Sequence, residues 1–182
     1  VALDKTHATS NENICAIFYY IINAFNSFKN DPEKFAQEIY KAKLIANESM
    51  STQLETLTDL FIGYAYIKRG TYKKASAMLY EIIKSAKEKG MNAIVHTGWY
   101  IMSILNIAEG KFDIAYGALN NSTIQMEKTG GISEYLTMLH KVNMYKVLMN
   151  LNSHDQAQIC LNQASYIIQK YGINFNLNID NT

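Results

Sequence analysis

Proline is nearly missing from this chain; Pro32 is the sole example. Because proline inside a helix costs roughly 3 kcal/mol, its absence leaves long helical runs unbroken. Glycine is also sparse, nine residues that are mostly widely spaced, which suits long helices joined by short turns. Cysteine is limited to Cys15 and Cys160, so a disulfide framework is excluded. Both lie in segments that read as apolar helix, and they are expected to be buried free thiols in a reducing, cytoplasmic setting. Charge of one sign is lacking too: 17 basic residues face 16 acidic ones, for a net charge of +1. That balance gives no concentrated basic surface for direct nucleic-acid binding. The clusters Lys68-Arg69 with Lys73-Lys74 and Lys84/Lys87/Lys89 are broken by Glu81 and Glu88 and read as solvated helix faces. The longest apolar run, Ile14 to Phe25, is interrupted by Asn23. It is short of the about 20 residues of a membrane span and lacks signal-peptide flanks.

What the sequence does have is apolar content, 48% hydrophobic residues over 182 positions, enough for a continuous core in one domain or one repeat array. The chain begins at Val1 and closes on an asparagine-rich stretch, Phe175 to Thr182. The expectation is a piece of a longer protein, with residues 173–182 as a tail or linker to another domain; removal of an N-terminal segment during maturation is the competing explanation.

Punctuation reveals an internal repeat. Gly70, Gly110 and Asn152 follow helical patterns at spacings of 40 and 42, and Gly90, Gly130 and Gly172 form a second series with the same spacings. Two interleaved turn series at one period describe helix, turn, helix, turn, repeated. Glycine adopts the left-handed conformation that closes a helix without a Cβ penalty, and asparagine tolerates it. Asn30-Asp31-Pro32 supplies a cap followed by proline at the first helical position. Between turns, Leu57, Leu60, Phe61, Tyr64 and Ile67 keep the three-and-four rhythm of a helix, as do Trp99, Met102, Leu105 and Ala108. This predicts helices over 10–29, 32–48, 52–69, 72–89, 92–109, 112–129, 133–150 and 154–171, paired as antiparallel hairpins 10–48, 52–89, 92–129 and 133–171.

Alignment on the turns exposes a motif. Gly70-Thr71-Tyr72-Lys73-Lys74-Ala75 and Gly110-Lys111-Phe112-Asp113-Ile114-Ala115 share glycine, an aromatic and alanine in register. Asn152-Ser153-His154-Asp155-Gln156-Ala157 is a degraded copy, and Lys34-Phe35-Ala36 opens the first. Ile62-Gly63 with Tyr66, and Trp99 with Met102, extend the pattern into the first helix of each hairpin. These residues resemble the tetratricopeptide repeat, in a long-period variant similar to the regulatory arrays of bacterial signal-transduction proteins. The resemblance implies an all-α, right-handed solenoid of about four helix hairpins over residues 1–172. It assigns packing roles to Gly63, Gly70, Tyr72, Ala75, Trp99, Gly110, Phe112, Ala115 and Ala157. Departures are a period of 40 to 42 residues in place of the family's 34, no closing proline, and Ser103 and Asn106 where the family has glycine and tyrosine.

The family's groove positions, on the first helix of each hairpin, correspond here to Phe18, Ile21, Phe25 and Phe28; Leu57, Leu60, Tyr64, Ile67 and Lys68; Tyr100, Ile104 and Ile107; and Leu139, Val142, Lys146, Met149 and Asn150. Their apolar and aromatic character argues against a carboxylate clamp and favours an amphipathic helix or hydrophobic peptide segment as partner, or self-association into a homodimer. A core presents the same stripe, so groove and core both stay open at this point.

Catalytic chemistry finds little support. His7, His96, His140 and His154 occur singly, without metal-ligand spacing; His96 and His140, at similar places in successive hairpins, are expected as satisfied histidines at helix surfaces, with a shared groove as the alternative. Gly130-Gly131 lacks the strand and lysine of a phosphate loop, and no cofactor is implied. The expectation is a non-enzymatic regulatory or sensor segment of a bacterial signalling protein, with a free-standing scaffold or chaperone as the alternative.

Overall fold

The sequence pattern becomes eight helices among the described residues of the computed structural model, which describes the backbone at 4–27, 31–129 and 134–173. They are α1 (Asp4–Ser27), α2 (Pro32–Glu48), α3 (Thr52–Lys68), α4 (Tyr72–Glu88), α5 (Asn92–Ala108), α6 (Phe112–Lys128), α7 (Glu134–Asn150) and α8 (His154–Tyr171). No strand occurs among the described residues. Helix α1 reaches back to Asp4, earlier than the apolar rhythm alone placed it. The tail at 174–182, Phe28 and Gly130-Gly131 lie outside the described residues, as does the side chain of Phe25.

The helices keep a strict metre. From α2 through α7 each is 17 residues long. Gly70, Gly90, Gly110 and Gly172 take φ of 71°, 69°, 72° and 60°, and Asn152 takes 57°. At Gly70 the turn closes by two hydrogen bonds, Gly70 N–H to Ile67 O and Thr71 N–H to Tyr66 O, both at 2.9 Å. The same pair recurs at Gly90, Gly110 and Asn152, so the last carbonyls of each helix are satisfied within the turn itself. Met50 occupies the equivalent place after α2 with φ of 52°. There the sequence had shown no glycine and no turn residue.

Helix starts follow the expected chemistry at two places. Asp31 Oδ1 accepts from Lys34 N–H at 2.9 Å, with Pro32 at the first position of α2. Ser51 Oγ accepts from Leu54 N–H at 3.4 Å ahead of α3.

Packing divides the chain into two units, residues 1–94 and 95–182. In the first, α2 packs against both α1 and α3, α3 packs against α4, and α1 reaches α3. Its core gathers Ile17, Ile21 and Ala24 from α1, Phe35, Ile39, Ala42 and Ala46 from α2, and Ala65 from α3. Gly63 is buried, and a Cβ added there would stand 2.9 Å from Leu79 Cδ2 and 3.2 Å from Leu79 Cγ. The missing side chain is what lets α3 and α4 approach. In the second unit α7 packs against α6 and α8. Ala115, Leu119 and Val147 form one cluster, bordered by Phe112, Tyr116 and Met144, and Met138, Val142, Ala164 and Ile167 form another.

Helix α3 buries differently from α4 and α8. Buried residues of α4 (Ala75, Leu79, Ile83, Ala86) form a single stripe, as do those of α8 (Ala157, Cys160, Ala164, Ile167). Those of α3 (Thr58, Leu60, Gly63, Ala65, Ile67) run around the circumference, as expected of a helix covered on several sides. Ala75, Ala115 and Ala157 are all fully buried, at matching places in α4, α6 and α8. Phe35 holds that place in α2 and is also buried; a ring stands where the later copies carry a methyl. Tyr72, Phe112 and Trp99 are half-buried.

Candidate functional site

The nine groove candidates separate by unit: Phe18, Phe25, Tyr64 and Lys68 in the first, Tyr100, Ile104, Lys146, Met149 and Asn150 in the second. Several neighbours once grouped with them are core. Ile21, Leu60, Ile67 and Val142 are buried, because their side of the helix faces the packed interior and not the accessible edge. By contrast Tyr64, Tyr100, Ile104 and Lys146 are half-buried, and Phe18, Lys68, Met149 and Asn150 are exposed. In the first unit the Lys68 ammonium lies 5.4 Å from the centre of the Tyr64 ring, one turn away on the same helix. In the second, Asn150 Nδ2 donates back to Lys146 O at 2.9 Å.

Tyr100 is the best organised of these side chains. Its ring stacks on the His140 imidazole, centroids 6.1 Å apart and planes 28° from parallel. Its hydroxyl accepts from Asn143 Nδ2 at 3.0 Å. An α5 aromatic is thus fixed by two α7 side chains while one side stays accessible.

Beneath it lies a buried polar layer. His140, 4% exposed, and His96, 7% exposed, both reach carbonyls of α6, so the expectation that these two lie at helix surfaces fails. His140 Nε2 is 3.1 Å from Leu119 O and 3.4 Å from Thr123 Oγ1. His96 Nδ1 is 2.9 Å from Ser122 O, and Ser122 Oγ is 3.1 Å from His96 O. A carbonyl only accepts, so each contacting ring nitrogen carries its proton and each imidazole donates to α6. Burial pushes the His140 imidazole down to about 4, against the hydrogen bond to Leu119 that favours its charged form; His96 and Lys141 depress it further. Burial also lowers His96. Both rings are neutral donors at pH 7, and they clamp α5 and α7 onto α6. Lone histidines in sequence carry no sign of this, because the principal partners are backbone atoms on another helix.

The cysteines part company. Cys160 is buried, its thiol pushed up by that burial, whereas Cys15 is exposed. The expectation that both are buried fails at Cys15, which shares an uncovered edge of α1 with Phe18, Tyr19 and Ile22. No group of three or more His, Cys, Asp or Glu side chains among the described residues is placed to hold a metal ion. No described helix is long and apolar enough to cross a membrane. The first unit also holds a cleft of about 650 Å³ between α1 and α2, whose residues carried no signal as a group in the sequence. Against this geometry, no family model, curated protein or solved structure matches the chain.

Proposed function

We propose that the chain is a helical-repeat binding segment, a right-handed solenoid of tetratricopeptide-like hairpins serving as the regulatory or sensor part of a bacterial, cytoplasmic signalling protein. It takes a peptide or protein partner, or a second copy of itself, on the accessible edges of its odd-numbered helices; catalysis, a cofactor and direct nucleic-acid contact have no part in this reading. The observation that carries it is Tyr100, half-buried, stacked on His140 and bonded by Asn143. An aromatic fixed in advance loses little freedom when an apolar segment closes over it, and large, rigid aromatics make effective binding anchors. The polar layer beneath supplies that rigidity without offering a reactive group. Ile104 and Met149, accessible in the same unit, add adaptable apolar surface of the kind that receives amphipathic helices.

The test uses a phage-displayed library of random 16-residue peptides selected against the whole chain, with sedimentation equilibrium run in parallel for self-association. Enriched peptides should bind helically and lose about tenfold or more in affinity to Tyr100→Ala, while circular dichroism shows the variant still folded. If neither peptide binding nor self-association responds to Tyr100→Ala or Met149→Ala in folded protein, the reading fails.

A further inference from the structure

In the cleft between α1 and α2, a lysine of the chain itself sits against a carboxylate and an aromatic ring. The walls of the cleft are Tyr19, Tyr20, Asn23, Asp31, Glu38 and Lys41 among others. Tyr19 and Tyr20 meet edge to face with centroids 5.4 Å apart. The Lys41 ammonium lies 5.5 Å from the centre of the Tyr20 ring and donates to Glu38 Oε1 at 2.9 Å. The two partners of that ion pair differ sharply: the Glu38 side chain is 10% exposed and that of Lys41 is 50% exposed. A nearly buried carboxylate and an aromatic face are therefore fixed parts of the wall, whereas the ammonium that satisfies them arrives on a long stem from the solvent side. Carboxylate and ring together make up the two elements that recognise an alkylammonium group.

We infer that this cleft is a binding site for a primary alkylammonium, with Lys41 acting as an internal occupant that an external amine displaces. The space is larger than one ammonium needs, and it falls in the range of sites that enclose a small ligand. Asp31 and the Asn23 amide lie on the same walls and can hold polar atoms that flank the cation. Lys41 competes intramolecularly, at an effective concentration of order millimolar or above, so the native chain binds free amines weakly. Removing its charge while keeping its stem converts the cleft into an open site with an unpaired carboxylate. This site lies in the first unit and stands independently of the Tyr100 surface.

Lys41→Met provides the test. Thermal midpoints are followed by circular dichroism with ~100 mM n-butylammonium chloride against equal sodium chloride. If the opened site binds the amine with Kd of about 10 mM, Lys41→Met gains about 3 °C and the wild type gains less than a third of that. The double variant Lys41→Met/Glu38→Gln gains nothing. Equal amine responses in Lys41→Met and wild type, or retention of the gain after Glu38→Gln, overturn the inference. Should Lys41→Met fold only in the presence of the amine, that rescue counts as binding. Should it fold under neither condition, Tyr19 and Tyr20 ring signals in NMR spectra of the wild type decide: amine-dependent shifts absent from Glu38→Gln support the site, and their absence removes it. Putrescine and Nα-acetyl-lysine N-methylamide, titrated into the opened variant, then separate a free diamine from a lysyl side chain as the natural source.

Discussion

Acid should loosen the second unit through its buried histidines, and His140 shows by how much. Its folded-state pKa is about 4, lowered from 6.5 chiefly by burial. In the unfolded chain the imidazole titrates at the ordinary value, so between those two pH values the unfolded state holds more protons than the folded one. Stability therefore rises with pH across this window and is lost as pH falls from 6.5 towards 4. A separation of 2.5 units corresponds to about 3 kcal/mol at 1.36 kcal/mol per unit, a large share of a typical domain's stability. The charges acting on the ring are His96 from α5 and Lys141 from its own helix, and both oppose protonation. From α6 it meets the Leu119 carbonyl and the Thr123 hydroxyl. The assay is urea unfolding at pH 7, 6, 5 and 4, comparing wild type with His140→Gln, whose amide can still donate towards Leu119 O. The wild type should lose about 3 kcal/mol more than the variant over that range, since contributions from other groups are common to both. Parallel curves, or an NMR titration placing the His140 ring at 6 or above, would refute the burial argument.

Three further outcomes follow from the packing and the turns. Gly63→Val should cost about 2–3 kcal/mol in urea unfolding, because its branches press on the fully buried Leu79; adding Leu79→Ala should return part of that loss, and a neutral Gly63→Val would break the close-approach argument. Met50→Gly should stabilise by about 1 kcal/mol, the strain of an L-residue at φ 52° less the entropy glycine brings to the unfolded state; a lower thermal midpoint would contradict it. A thiol-reactive chromophore should modify Cys15 in the native protein promptly and reach Cys160 only on unfolding, and equal rates would count against the packing of α8.

Helix positions were legible because α3, α4, α5, α7 and α8 each announce themselves twice, by an apolar rhythm and by a glycine or asparagine that turns left-handed after it. Met50 escaped notice for the reason that makes it interesting: it obeys the backbone metre without having the chemistry of a turn. Gly63 was legible as a packing residue, and the Leu79 contact gives the cause. The site was read less well. A helical stripe gives spacing but not the angle at which neighbours cover it, so Ile21, Leu60 and Ile67 could not be told from Phe18 and Tyr64 until the partners of each helix were known. His96 and His140 looked like isolated surface residues because their acceptors, the carbonyls of Ser122 and Leu119, have no side-chain identity for a sequence to display. The cleft between α1 and α2 was invisible for a related reason: Tyr20 and Glu38 come from different helices and line one cleft only once those helices pack.

The uniform turns carry a consequence for how the chain finds its fold. The turn after α3 and the turn after α4 close with the same hydrogen bonds and the same left-handed residue. The turn backbone therefore does not distinguish one of these helix junctions from the next. Side chains make the distinction, as where Gly63 of α3 admits Leu79 of α4. A single missing methyl group then acts less as a packing detail than as the address by which α3 recognises α4.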